Sequence, residues 1–285
     1  MFISKTSQLF ALLRPYSWIK NFFVFVPLFF AKDFFNYSKL STVTLAFIVF
    51  CITASSVYIL NDIFDKEQDA NHNIKKNRPI ASGKVTIKSG LVLFFCLLVL
   101  DACLIYFFVP QIVWLMGLYF VLNIFYSAYL KHIAVLDILV VSSFYFIRIM
   151  VGGISANVFV SHWLLLCIIF ISLFLIVAKR LAELNQNDKR AVLEKYTPEF
   201  LNAILVVSAT LTIVSYSLYC ILVLNSNLAI ISIFLVLLGI IRYLFIVFTT
   251  NRAEYPEKEV INDKVIFFSS LAWIVVMFFI FYLHA

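Results

Sequence analysis

The stretch Asn61-Asp62-Ile63-Phe64-Asp65-Lys66-Glu67-Gln68-Asp69 follows directly on an uncharged run, Leu40–Leu60. That juxtaposition decides how the chain reads. The uncharged run is long enough to cross roughly 30 Å of hydrocarbon as a helix. If the helix continues past it, Asn61, Asp65 and Asp69 stand at i, i+4 and i+8 on one face, with Asp62 beside them. Crowded carboxylates repel one another unless a cation joins them. All four side chains offer hard oxygen donors, which suit Mg2+ holding a diphosphate. An EF-hand is excluded, because its glycine and alternating ligands are missing. An ordinary solvated loop would not stack one Asn and three Asp at helical spacing against the end of a span.

Outward from this stretch, composition sets the class. Of 285 residues, 64% are hydrophobic and 13% charged. A soluble domain carries about a quarter charged residues. The chain therefore reads as an all-α polytopic membrane protein. The residues Met1 to Trp18 are mixed polar and basic, so no cleavable signal is expected. The five cysteines lie inside apolar runs without metal-ligand spacing and read as packing residues. The net charge of +7 suits anionic lipid or substrate, and no basic run interleaved with aromatics argues for nucleic acid.

Nine membrane helices are expected. In the first, only Asn21 to Ala31 is uncharged, too short to span without Lys20, and Pro27 kinks it. The second is Leu40–Leu60, and the third runs from about Ser89 to Val109 with Asp101 inside it. The fourth, fifth and sixth are about Gln111–Leu130, Ile133–Ile154 and Phe159–Ala178. The uncharged run Phe200–Ile241 is divided at Asn225-Ser226-Asn227 into a seventh and an eighth, and Val265–Leu283 is the ninth. The whole, 1–285, reads as a single domain with polar segments at about 61–88, 179–199 and 251–264. The distribution of Lys and Arg places these segments and Lys131 in the cytoplasm, with Lys32 and Lys39 outside.

Charges inside spans carry the remaining signal. Asp137 and Arg148 are eleven residues apart, about three turns, and so face the same way. Arg148 lies deep in an apolar run and is expected to face a pocket rather than lipid. Asp101 has no evident partner. Lys179-Arg180 fits either a topology anchor or an anion site, and Glu183 shares a face with Lys179. Tyr126 to Lys131 closes the fourth span, where an aromatic belt is the plain reading. The histidines are scattered, and no nucleophile elbow, Walker A loop or dinucleotide fingerprint is present.

The pattern Asn61-Asp62-x-x-Asp65-x-x-x-Asp69 followed by Arg78-Pro79 resembles the first motif of the UbiA superfamily of intramembrane prenyltransferases. Within it, the chain resembles the polyprenyl-phosphate phosphoribosyltransferase branch. The stretches that carry this are Arg14-Pro15-Tyr16-Ser17-Trp18-Ile19-Lys20-Asn21, Asn77 to Gly83, Tyr126-Ser127 with Leu130-Lys131, Asp137-Ile138, Ile147-Arg148 with Gly152-Gly153, and Lys179 to Leu184. Many members that use prenyl diphosphate carry a second Asp-x-x-x-Asp after helix six. Here that place holds Glu183-x-x-x-Asn187, which favours the phosphoribosyl branch.

The resemblance implies transfer of 5-phosphoribose from 5-phosphoribosyl 1-diphosphate to polyprenyl (decaprenyl) phosphate, for a cell-envelope glycan. It implies Mg2+ on Asn61, Asp62, Asp65 and Asp69, with the three acids catalytic. Lys20 would meet the lipid phosphate, and Lys131, Arg148, Lys179 and Arg180 the sugar phosphates. Asn21, Arg78, Tyr126 and Glu183 complete the implied substrate site. The partners are those two substrates and membrane lipids, with a homo-oligomer compatible. The setting is the bacterial cytoplasmic (inner) membrane, with the active site facing the cytoplasm. Two alternatives stay open: prenyl transfer to an aromatic acceptor over the same metal cluster, and an anion transporter using Asp137 and Arg148 as pathway charges.

Overall fold

A computed structural model describes residues 5–71, 75–184, 191–224, 226–250 and 262–283, which form helices joined by turns, with no strand among them. Eight helical stretches among these residues are long and apolar enough to cross a membrane. Ahead of them lies α1, Lys5–Leu12. The expected first crossing is not a continuous α-helix. It is a 3-10 segment, Pro15–Phe25, that passes into a short helix α2, Val26–Phe30. A 3-10 helix rises about 2.0 Å per residue against 1.5 Å for an α-helix, so these sixteen residues reach about 30 Å. That reach matches the hydrocarbon thickness of a bilayer, although the apolar run is short and half-buried Lys20 lies inside it. Pro27 lies in the first turn of α2, where its missing N–H breaks no bond.

Three residues per turn align the side chains in straight rows. Asn21, Val24 and Pro27 form a buried row, while Tyr16, Ile19 and Phe22 form an outward one. The buried row meets α3, Tyr37–Phe64, where Trp18 Nε1 donates to Ser55 Oγ at 3.1 Å and Asn21 Nδ2 contacts Cys51 Sγ at 3.2 Å. Three 3-10 residues and four α-helical residues both advance about 6 Å. The two elements therefore stay in register, 18 against 55 and 21 against 51.

Two compact units can be distinguished. The first is Met1–Tyr129 with Ile147–Phe159, and the second is Leu130–Phe146 with Val160–Ala285. In the first unit α3 is central, buried along most of its length from Val43 to Asp62. It is followed by α4, Lys66–Ala70, and packs along α5, Ile87–Phe108, in which only Gly90, Phe94, Asp101 and Ile105 are buried. Next comes α6, Val113–Ala128. The helix α7, Leu136–Ala156, runs from the second unit into the first. Its Gly152 makes a close approach possible: a Cβ there would stand 1.9 Å from the Val24 carbonyl oxygen. Gly152→Ala is expected to lower stability by about 1–3 kcal/mol, seen as a lower unfolding midpoint in detergent. An unchanged midpoint would contradict this packing.

The second unit holds α8, His162–Leu184, packed along α9, Pro198–Tyr219, and α10, Ala229–Thr250, packed along α11, Lys264–Tyr282. Phe174, Val177, Leu193, Leu201 and Leu205 fill its core. The expected break in the long uncharged run falls between Leu224 and Asn227. Most of the third polar segment, 251–261, and residues 185–190 of the second, Asn187 among them, lie outside the described residues.

Candidate active site

Each unit carries a buried ionic network. In the first unit α3 runs past Leu60, so Asn61 and Asp62 belong to its last turn. The helix breaks at Asp65, yet Asp65 N–H still reaches the Asn61 carbonyl at 2.9 Å, and Asp69 N–H the Asp65 carbonyl at 2.8 Å. The expected i, i+4, i+8 ladder thus survives the break. Asp62 and Asp69 are buried and Asp65 half-buried.

Two arginines gather the buried acids. Arg14 donates to Asp62 Oδ1. Arg78 Nη1 contacts Asp62 Oδ1 at 3.2 Å and Asp69 Oδ2 at 2.5 Å. Arg78 is held by the turn behind it, in which the buried Ile80 and Val85 belong to one core with Ile59 and Phe94. Gly83 closes that turn at φ 73°, a conformation open to glycine, which explains the glycine of the Asn77–Gly83 stretch. Arg14 stands between α1 and the 3-10 segment in a left-handed conformation, as a residue before proline is kept out of the right-handed helix. Asn61 accepts from Ser127 Oγ at 2.6 Å, which ties the acid ladder to α6.

These contacts bear on a metal. Among the described residues, no three of His, Cys, Asp and Glu stand close enough to hold one. Asp62 and Asp69 instead share one nitrogen, Arg78 Nη1. Two oxygens on one nitrogen are nearly close enough to share a divalent ion, and carboxylate and amide oxygens are donors Mg2+ accepts. The four side chains Arg14, Arg78, Asp62 and Asp69 sum to zero charge. A divalent cation arriving together with an anionic diphosphate would bring opposite charges to this neutral cluster and offset most of the diphosphate's charge, with the guanidiniums turning from carboxylate to phosphate.

Deeper in the same unit, Arg148 is 4% exposed. Its Nε donates to Asn21 Oδ1 at 2.9 Å, and its guanidinium lies 4.8 Å from the Phe50 ring centre and 5.5 Å from that of Tyr119. It is turned away from lipid, as its position demands, but inward onto an amide and two ring faces. Half-buried Tyr126 lies on the last turns of α6. Asp101, whose partner is not evident in the sequence, has one in Thr53, whose Oγ1 lies 2.5 Å from its Oδ2.

The second unit's network centres on Asp137, which is fully buried. Arg180 Nε donates to its Oδ2 at 3.0 Å, and the Tyr196 hydroxyl to its Oδ1 at 2.5 Å. Burial and that bond to Asp137 push the Tyr196 phenol up, so it remains a donor at neutral pH. Arg180 Nη1 also donates to Glu183 Oε2 at 2.8 Å. Lys179 approaches Glu183 to 4.0 Å, confirming their common face, and is far more accessible than Arg180. Half-buried Lys131 sits in the short turn Leu130–His132. Asp137 and Arg148 share a helix, but their described contacts lie in different units. Sequence reading missed Tyr196 altogether and gave Arg14 no role of its own, although the Arg14-Pro15 pair before the first crossing marks a fixed position.

Eight apolar helices, with acids and arginines gathered at the end of one of them, mark a multi-pass membrane protein with a polar site. Residues 21–271 match the UbiA prenyltransferase family, and the chain belongs to that family. Decaprenyl-phosphate phosphoribosyltransferase from Corynebacterium glutamicum is 33% identical over 276 residues, 92% of this chain and 83% of that one. The protein of the same name from Mycobacterium tuberculosis is 34% identical over 273 residues, 92% and 90% of the two chains. Among solved structures, a UbiA homolog from Archaeoglobus fulgidus bound to DMAPP and Mg2+ superposes with a TM-score of 0.75, at 14% identity over 96% of this chain and 99% of that one. The fold is the same.

Proposed function

We propose that this protein transfers 5-phosphoribose from 5-phosphoribosyl 1-diphosphate to a polyprenyl phosphate and releases diphosphate, working as one domain in the cytoplasmic membrane with its acid ladder on the cytoplasmic side. The observation that carries this reading is identity of about a third, sustained over nine-tenths of the chain, to relatives named for that reaction.

In the reaction, a lipid phosphate oxygen attacks C1 of the ribose as the bond from C1 to the diphosphate oxygen breaks. The nucleophile is already an anion, so no strong general base is needed. The barrier lies in the departure of a highly charged leaving group. Asn61, Asp62, Asp65 and Asp69 would hold Mg2+, which when bound supplies neutralising charge at the diphosphate. Arg78 and Arg14, now on carboxylates, are placed to exchange them for phosphate oxygens, which a guanidinium grips through parallel N–H donors. Lys20 is assigned to the lipid phosphate, with Asn21 beside it holding Arg148 in place. At the end of α8, Lys179 is the more accessible cation for a sugar phosphate, while Arg180 and Glu183 orient it. Lys131 is assigned to the same anion.

The test is incubation of purified protein with radiolabelled phosphoribosyl diphosphate and polyprenyl phosphate, with Mg2+ or with EDTA, followed by lipid extraction. Label should enter the lipid phase only with Mg2+. Prenylation of an aromatic acid from prenyl diphosphate, without phosphoribosyl transfer, would decide for the alternative enzyme.

Orientation is tested separately. In a variant lacking the five native cysteines, Asn71→Cys should react only with reagents that reach the cytoplasm, and Ser226→Cys only from outside. Reaction of both from one side would refute the topology.

A further inference from the structure

Along α5, away from the acid–arginine network, lies a feature the proposed reaction does not use. Gly90 of α5 packs against Ile59 and Ile63 near the end of α3. Asp101 stands eleven residues further on, about 16 Å along the helix. There a groove of about 650 Å³ opens between α5 and α6, a size usual for sites that hold small molecules. Leu98, Ala102, Ile105, Met116, Gly117 and Phe120 line it, and Asp101 and Thr53 are its buried polar members.

Asp101 is 5% exposed, and among the described residues its Oδ1 has no hydrogen-bond partner. Its Oδ2 lies by Thr53 Oγ1, which is also 3.0 Å from the Val49 carbonyl. A hydroxyl has one hydrogen and can serve only one of these at a time. In either arrangement Oδ1 is an unfilled acceptor in apolar surroundings, which is costly.

That chemistry selects a ligand. The apolar walls suit a hydrocarbon chain. The unfilled acceptor matches the one hydrogen of a hydroxyl group. An ammonium group would bring three donors and leave two unfilled, and a phosphate would bring negative charge against a carboxyl. We propose that this groove binds an uncharged lipid alcohol, with the hydroxyl donating to Asp101 Oδ1 and the chain lying along α5 and α6.

The probe is geranylgeraniol carrying a photoreactive diazirine in its chain, with purified full-length protein in detergent and crosslinks mapped by mass spectrometry. Crosslinks are expected within residues 98–120. Unlabelled geranylgeraniol should compete roughly tenfold or more better than its methyl ether, which lacks the donor. Asp101→Leu should weaken labelling to a similar degree. Gly117→Leu provides a second variant, because no atom lies within 4 Å of a Cβ placed there. It should block the groove without disturbing the packing, and labelling should be lost. Octadecanol competing as well as geranylgeraniol would identify an alkyl alcohol as the source, and weaker competition an isoprenoid one; both retain the hydroxyl. Equal competition by the ether, crosslinks elsewhere or undiminished labelling of Gly117→Leu would overturn the proposal. So would crosslinks between two copies of the chain in place of lipid adducts.

Discussion

Asp69→Ala is expected to lower phosphoribosyl transfer by roughly a hundred- to a thousandfold, the scale of losing one preorganised charge contact in a transition state. Two effects add. In the proposed reaction a ligand of the cation is lost where the diphosphate departs. Independently of any ligand, Arg78 loses its 2.5 Å partner and keeps only the longer contact to Asp62. Asp69→Asn should recover little, because an amide retains the shape but not the charge. The measurement is initial rate against Mg2+ concentration, with folding checked by the unfolding midpoint. A variant with wild-type turnover at saturating Mg2+ would remove the acid ladder from the reaction.

Asp137→Ala should act on stability first. Asp137 accepts from Arg180 and Tyr196, and the Tyr196 oxygen in turn accepts from the Val135 N–H at 2.6 Å. Removing the carboxylate leaves a buried guanidinium short of a charge and a phenol without its acceptor. Loss of one member of a buried ion pair costs about 3–5 kcal/mol. Asp137→Asn keeps an acceptor for the phenol and should lie between alanine and the parent. The readout is the unfolding midpoint in detergent together with the yield of monodisperse protein. If the alanine variant melts with the parent, the network is not holding α7, α8 and the Ala191–Lys195 turn together.

How much of this was legible in the sequence depended on distance along the chain. The eight long helices could be read because apolar runs are bounded by charge. The acid ladder could be read because its members are four residues apart. Arg14 lies 48 residues from the acid it binds, and Arg180 lies 43 from Asp137, so no local spacing could join them. Asp101 hid its partner in the same way, since Thr53 is 48 residues away on another span. The first crossing was expected, but its 3-10 winding escaped for a different reason. Its faces repeat every three residues, and a search for the 3.6-residue period does not see them.

That repeat makes the first crossing behave like a vernier scale set against α3. One residue deleted between Asn21 and Val24 would turn everything before it by about a third of a revolution. The row holding Ser17 and Lys20 would then face Ser55 and Cys51, and a hydroxyl would replace the indole and a cation the amide. One residue inserted would bring in the row of Tyr16, Ile19 and Phe22 instead. Three residues removed would restore the phase and leave only a slide of about 6 Å, which four residues taken from the facing stretch of α3 would match. In this part of the chain, matched length changes would come in unlike pairs, three on one side and four on the other.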